Sequence, residues 1–360
     1  MKILRPISIL ASCLMLTGSA VAQISLTPPG AETPAASKPA AKPKAKPQAA
    51  AKKPEAPAVT AKPAAPPAAP TATVTLAPLP DDPNVDLVFG AYQRGQYKTA
   101  LELATKRAQE NGDPKAMTML GELYANAMGV KRDYATAAEW YKRAADSGDR
   151  EGMFALAMLR LSGRGGPVNR EEAVKLLASS AKLGNPKAAY NLALLYLDGQ
   201  TLPQDLKRAA ELLRLAADAG NPEAQYALAT FYKEGTGVEK DIDKAVRLLQ
   251  AASLADNVDA EVEYAIALYN GTGTPKNEAA AVALLRKAAR QNSPIAQNRL
   301  ARVLVSGQGA PMDKIEGLKW HLVAKTAGRG DPMLDEALAD LSPEDRAKAE
   351  AAARKWLGAK

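Results

Sequence analysis

Cysteine and histidine are almost missing from this sequence, with one of each, Cys13 and His321, in 360 residues. One cysteine gives no disulfide framework, and if cleavage follows Ala22 the mature chain keeps no thiol nucleophile. One histidine cannot make the usual clustered zinc site. As a general base His321 lacks a marked nucleophile and an orienting carboxylate, so beside Trp320 it reads as a surface or packing residue. Aromatic residues are scarce, at 5%, and the apolar run at the start, Ile7 to Leu16, is too short to span a bilayer as a stable helix. The net charge of +8 is unevenly placed. Lys2, Arg5 and the lysines of an early proline-rich tract, against Glu32 and Glu55, account for nearly all of it. The rest of the chain is close to neutral, which leaves nucleic-acid binding through a basic face without support.

What the chain has is a period. Gly220-Asn221-Pro222 opens a stretch that continues through Ala224, Leu228, Ala229, Tyr232, Gly235, Gly237, Asp241 and Ala245. The same ruler falls earlier on Gly184-Asn185-Pro186, on Gly148-Asp149 and on Gly112-Asp113-Pro114, and later on Asp256 and Pro294. Six units in register, residues 112–327, are the signature of a solenoid.

Local chemistry makes each unit an antiparallel pair of helices, A and B. Gly220 takes the left-handed turn that ends one helix, Asn221 caps the next, and Pro222 fits its first turn. Ala224, Leu228 and Tyr232 then share one face of helix A at spacings of four. Gly235 and Gly237 break that helix, and Asp241 caps helix B, whose apolar face is Ala245, Leu248, Leu249 and Ala252. The alanines at the columns of 224 and 245 predict close helix contacts. One hairpin buries about half a dozen large side chains worth roughly 1.5–3 kcal/mol each, too little against a backbone entropy of roughly 1–2 kcal/mol per residue. The units must therefore stack.

The pattern resembles the Sel1-like repeat family, relatives of the tetratricopeptide repeats. The residues that carry the likeness are Ala224, Leu228, Ala229, Tyr232, the Gly235-x-Gly237-Val238 loop, Asp241, Ala245 and Ala251-Ala252. Three positions depart from it: Arg160 in place of the tyrosine, Thr201 in place of the second loop glycine and Gly317 in place of the helix B alanine. The resemblance implies an all-α, α/α solenoid of six 36-residue hairpins, and a role as an adaptor in assembly or signalling. Some relatives carry paired cysteines in each repeat and are linked to β-lactam binding; this chain lacks them, so that function is not carried over.

Around the array, residues 1–22 read as an export signal, with Lys2 and Arg5 ahead of the apolar run and Ala20-Val21-Ala22 before the cut. Leu10-Ala11-Ser12-Cys13 is a rival signal, a lipoprotein box that would place a lipid anchor on Cys13. Residues 23–83 form a Pro/Ala/Lys-rich linker with almost no large apolar side chain, predicted to be disordered and extended. Residues 84–111 read as an N-terminal capping hairpin. Residues 328–360 read as C-terminal capping helices, one from Asp331-Pro332 to about Leu341 and one from Ser342-Pro343 to Leu357.

No chemistry is marked. The Glu171-Glu172 pair sits in the first turn of a helix B, where it favours the helix dipole, and the glycine loops end helices without a phosphate-binding lysine motif. Catalytic, metal and cofactor residues are accordingly read as none. The column Thr118, Phe154, Tyr190, Tyr226, Val262, Asn298 varies where the core columns do not. Its aromatics, Phe154, Tyr190 and Tyr226, are the candidate partner-binding residues, with packing between adjacent helices A as the other reading. The expectation is a periplasmic scaffold that binds protein partners. A cell-wall or anionic envelope contact through the Lys/Pro tract, and a hydrolase with clustered carboxylates, are the alternatives.

Overall fold

The computed structural model describes residues 86–358, and among them it contains 16 α-helices and no strand. The leader, Cys13 and the proline-rich tract lie outside the described residues, as do the first two residues of the N-terminal cap. A short hairpin comes first, α1 (Leu87–Gln93) and α2 (Tyr97–Asn111). Six hairpins follow: α3 (Pro114–Asn126) with α4 (Tyr134–Asp146), α5 (Arg150–Ser162) with α6 (Arg170–Lys182), and α7 (Pro186–Asp198) with α8 (Leu206–Asp218). Then come α9 (Pro222–Glu234) with α10 (Ile242–Leu254), α11 (Val258–Asn270) with α12 (Glu278–Arg290), and α13 (Pro294–Ser306) with α14 (Lys314–Thr326). The chain closes with α15 (Pro332–Ala339) and α16 (Pro343–Gly358).

All twelve repeat helices are 13 residues long, because the same stop and start chemistry recurs at each end. Gly220 stands at φ +83°, Asn221 Oδ1 accepts from the Ala224 N–H at 2.7 Å, and Pro222 follows at the first helical position. At the other junction Asp241 Oδ1 accepts from the Lys244 N–H at 2.9 Å, and the Asp241 N–H closes the loop on the Tyr232 carbonyl, also at 2.9 Å. Two units replace the closing glycine with Asp256 (φ +60°) and Asn292 (φ +68°), the side chains best able to tolerate that conformation.

The core follows the repeat columns. The helix A alanines 116, 188, 224, 260 and 296 and the helix B alanines 137, 173, 209, 245 and 281 are buried, and so are Leu120, Leu156, Leu192, Leu228 and Leu300. Neighbouring units are also tied by side chains that reach across. Gln225 Nε2 and Gln297 Nε2 donate to the carbonyls of Ala217 and Ala289 in the preceding helix B, at 3.2 and 3.1 Å, while inside the second unit Ser180 Oγ donates to the Arg150 carbonyl at 2.6 Å.

Each departure from the repeat pattern has a local compensation. Arg160 Nε reaches Glu172 Oε2 on the facing helix B at 2.8 Å. Thr201 does not adopt the left-handed backbone that Gly165 and Gly237 use, so the third loop closes differently, with Gln204 Nε2 donating to the Leu197 carbonyl at 2.9 Å. At Gly317 a Cβ would lie 2.9 Å from Val305 Cγ2 and 3.1 Å from the Ala301 carbonyl oxygen, so α13 and α14 approach more closely than an alanine permits. The first C-terminal cap helix ends at Ala339, short of the expected Leu341. Arg346, from the next helix, donates to the carbonyls of Leu338 (3.2 Å) and Ala339 (2.6 Å) and ends it there.

Candidate partner-binding groove

The aromatic column read from the sequence lies on the helices A and packs against the main core cluster. Tyr190 on α7 is 7% exposed, and burial, with Glu223 adding, pushes its hydroxyl pKa up to about 12. Phe154 on α5 and Tyr226 on α9 are half-buried against the same cluster. Burial raises the Tyr226 hydroxyl pKa, with Glu263, Asp259 and Glu234 contributing. The rims of Phe154 and Tyr226 are the parts of this column open to a partner. His321 is fully buried on α14, with Nε2 2.8 Å from Asp335 Oδ1.

A second arrangement was not singled out from the sequence. Between α8 of the third unit and α10 of the fourth runs a trough floored by Tyr232 and Leu228 of α9. Its larger part has a volume of about 550 Å³ and is bounded by Lys207, Ala210 and Arg214 on one side and by the Val238–Lys240 loop and Lys244 on the other. A smaller part of about 270 Å³ continues past Arg247 and Leu248 towards Asp218, and the two parts share Arg214, Tyr232 and Lys244. Gly237 lets the loop lie directly on the Leu206 backbone, at φ +65°, which sets that wall.

The polar contacts of the trough are specific. Arg214 Nη2 donates to the Tyr232 hydroxyl at 3.0 Å. Lys244 Nζ lies 3.0 Å from Asp241 Oδ2 and 5.4 Å from the centre of the Tyr232 ring. The hydrogen bond and charge of Asp241 raise the Lys244 pKa, so the ammonium stays charged. Glu211 is paired with Arg208 at 2.7 Å. Comparing helix B columns would have found the trough: Lys244 and Arg247 of the fourth unit stand where the third unit has Arg208 and its partner Glu211.

Among the described residues no group of three or more His, Cys, Asp or Glu gathers as a metal site would need, and no helix is long and apolar enough to cross a membrane. The arrangement offers charge and area, with hydrogen-bond donors fixed over an apolar floor.

Stacked helical hairpins in this order define an α/α solenoid of the repeat-scaffold class. The Sel1 repeat family matches six successive segments, residues 114–149, 150–185, 186–221, 222–257, 258–293 and 294–328, and the chain belongs to that family. Among solved structures it is similar to a Sel1 repeat protein from Oxalobacter formigenes, at 26% identity and a TM-score of 0.60, over 67% of this chain and 98% of that one. It is also similar to a protective antigen of uropathogenic Escherichia coli with a Sel1-like repeat fold, at 26% identity and a TM-score of 0.53, over 75% of this chain and 67% of that one. No curated protein matches the chain. Sel1 repeats generally mediate protein–protein interaction.

Proposed function

We propose that this protein is an exported, non-enzymatic scaffold of the bacterial envelope that holds other proteins on its solenoid surface and regulates an assembly or signalling complex there. The observation that carries this reading is the unbroken stack of six units, which exposes an extended side-chain surface on a frame whose units each draw stability from their neighbours. The residues of the leader, with a small-x-small cut at Ala20-Val21-Ala22, support a periplasmic address. The mechanism is positioning. Helices of uniform length present side chains at a fixed spacing, and a partner that spans several units gains affinity from each without any unit changing shape.

The test is cell fractionation with the mass of the mature chain, combined with in-cell crosslinking. The reading requires a periplasmic chain that begins at Gln23 and crosslinks to a defined envelope protein through residues of the array. A cytoplasmic chain that keeps its leader, or crosslinks confined to residues 23–83, overturns it.

A further inference from the structure

We propose that the trough between α8 and α10 is the docking site for an acidic, extended segment of a protein partner, whose carboxylates meet Arg214 and Arg247 while its apolar side chains rest on half-buried Leu248 and the open edge of the Tyr232 ring. This deepens the scaffold reading and rests on it. The cations are available. Among the described residues no carboxylate pairs with Arg214, Arg247, Lys207 or Lys240, and Arg214 is already oriented by its bond to the Tyr232 hydroxyl. Two of the nearby acids are engaged, Glu211 with Arg208 and Asp241 with Lys244, which leaves Glu239 and Asp218 at the edges.

The other seams between successive helices B lack this combination. At the first, Arg160 stands where Tyr232 does and is closed by Glu172. At the second, the place of Arg214 is taken by Ala178 and that of Arg247 by Glu211; at the fourth, by Gln250 and Ala283. At the fifth, Lys319 is held by Glu316 at 3.0 Å. The third seam also has room, because Ala210 stands where Val174, Val246 and Val282 stand in the second, fourth and fifth units. From Lys207 to Asp218 the trough follows α8 for roughly 16 Å, at about 1.5 Å per residue, which accommodates about five residues of extended chain. Its lining is mainly polar, which favours an extended segment over the apolar face of a helix.

The test uses the full mature chain and fluorescence polarisation of a labelled, end-blocked hexapeptide of alternating aspartate and leucine. The reference probes are its asparagine–leucine counterpart and citrate. Saturable binding is expected, at least tenfold weaker for the asparagine peptide and weakened by salt. Arg214→Gln with Arg247→Gln should reduce it at least tenfold, with the circular dichroism and melting temperature unchanged. Arg247→Gln alone should give part of the loss, and Arg286→Gln, at the fifth seam, none. Absence of saturation, indifference to the arginine variants, or citrate binding tighter than the peptide overturns the proposal. If the trough fails while in-cell crosslinks elsewhere on the array persist, the docking site falls and the scaffold reading stands.

Discussion

His321 Nε2 on α14 lies 2.8 Å from Asp335 Oδ1 on α15, joining the last repeat to the cap that closes it. In the four preceding units the same column holds Leu177, Leu213, Leu249 and Leu285, all buried. A polar side chain therefore stands in an apolar column, with Nδ1 buried and unbonded.

This predicts an inversion of the usual order of substitutions. His321→Leu restores the column and removes an unsatisfied nitrogen, and half-buried Asp335 keeps Lys325 at 2.7 Å, so stability at neutral pH should hold or rise. His321→Ala leaves a cavity and should cost about 2–4 kcal/mol. Urea midpoints decide it, and equal losses in both variants would show that the imidazole bond, not column packing, carries the site.

The first unit predicts a compensating pair. A Cβ on Gly121 would overlap the Tyr141 ring, whereas the following units pair Ala157 with Leu177 and Ala193 with Leu213 at these positions. Gly121→Ala should destabilise by about 1–3 kcal/mol through overpacking. Adding Tyr141→Leu should recover most of that, although it gives up the bond from the Tyr141 hydroxyl to Glu122 at 3.2 Å. A double-mutant cycle with no coupling between the two positions would contradict the shared-volume account.

Acid should loosen the C-terminal cap first. Asp331 is 3% exposed and is held by Arg302 at 2.5 Å and by Asn298 at 3.1 Å. Burial alone would raise its pKa, but the bonds from Arg302 and Asn298 and the charge of Arg302 outweigh it and hold the carboxyl below its ordinary 3.8. A depressed carboxylate contributes stability that is present above the unfolded value and lost as the pH falls through the folded one. Hydrogen exchange in α15 and α16 should therefore accelerate below about pH 4 before that in α7 to α10. Asp331→Asn should flatten this dependence, and exchange that rises uniformly along the array would refute the assignment.

The fold was legible because its determinants are local and repeated. Asn221-Pro222, Asp241 and the alanines at 224 and 245 act within a few residues of themselves, and the structure places them as the period requires. The trough was harder to see, because its walls belong to different units. Arg214 and Arg247 look like ordinary solvated charges until α8 and α10 are set side by side. Attention to aromatics led instead to Phe154, Tyr190 and Tyr226, whose column runs along the helices A where packing takes up much of each ring. His321 was placed correctly beside Trp320, but its tie to Asp335 depends on how the final cap folds back.

The repeated Gly-Asn-Pro junction has a consequence for how such a chain changes its size. Because Gly184-Asn185-Pro186 and Gly220-Asn221-Pro222 are interchangeable ends, a whole hairpin can be gained or deleted by recombination and still meet a matching neighbour. The trough has no such freedom. Inserting a hairpin of any other unit between the third and fourth would separate Arg214 from Tyr232, so longer or shorter arrays can keep the scaffold while losing the trough.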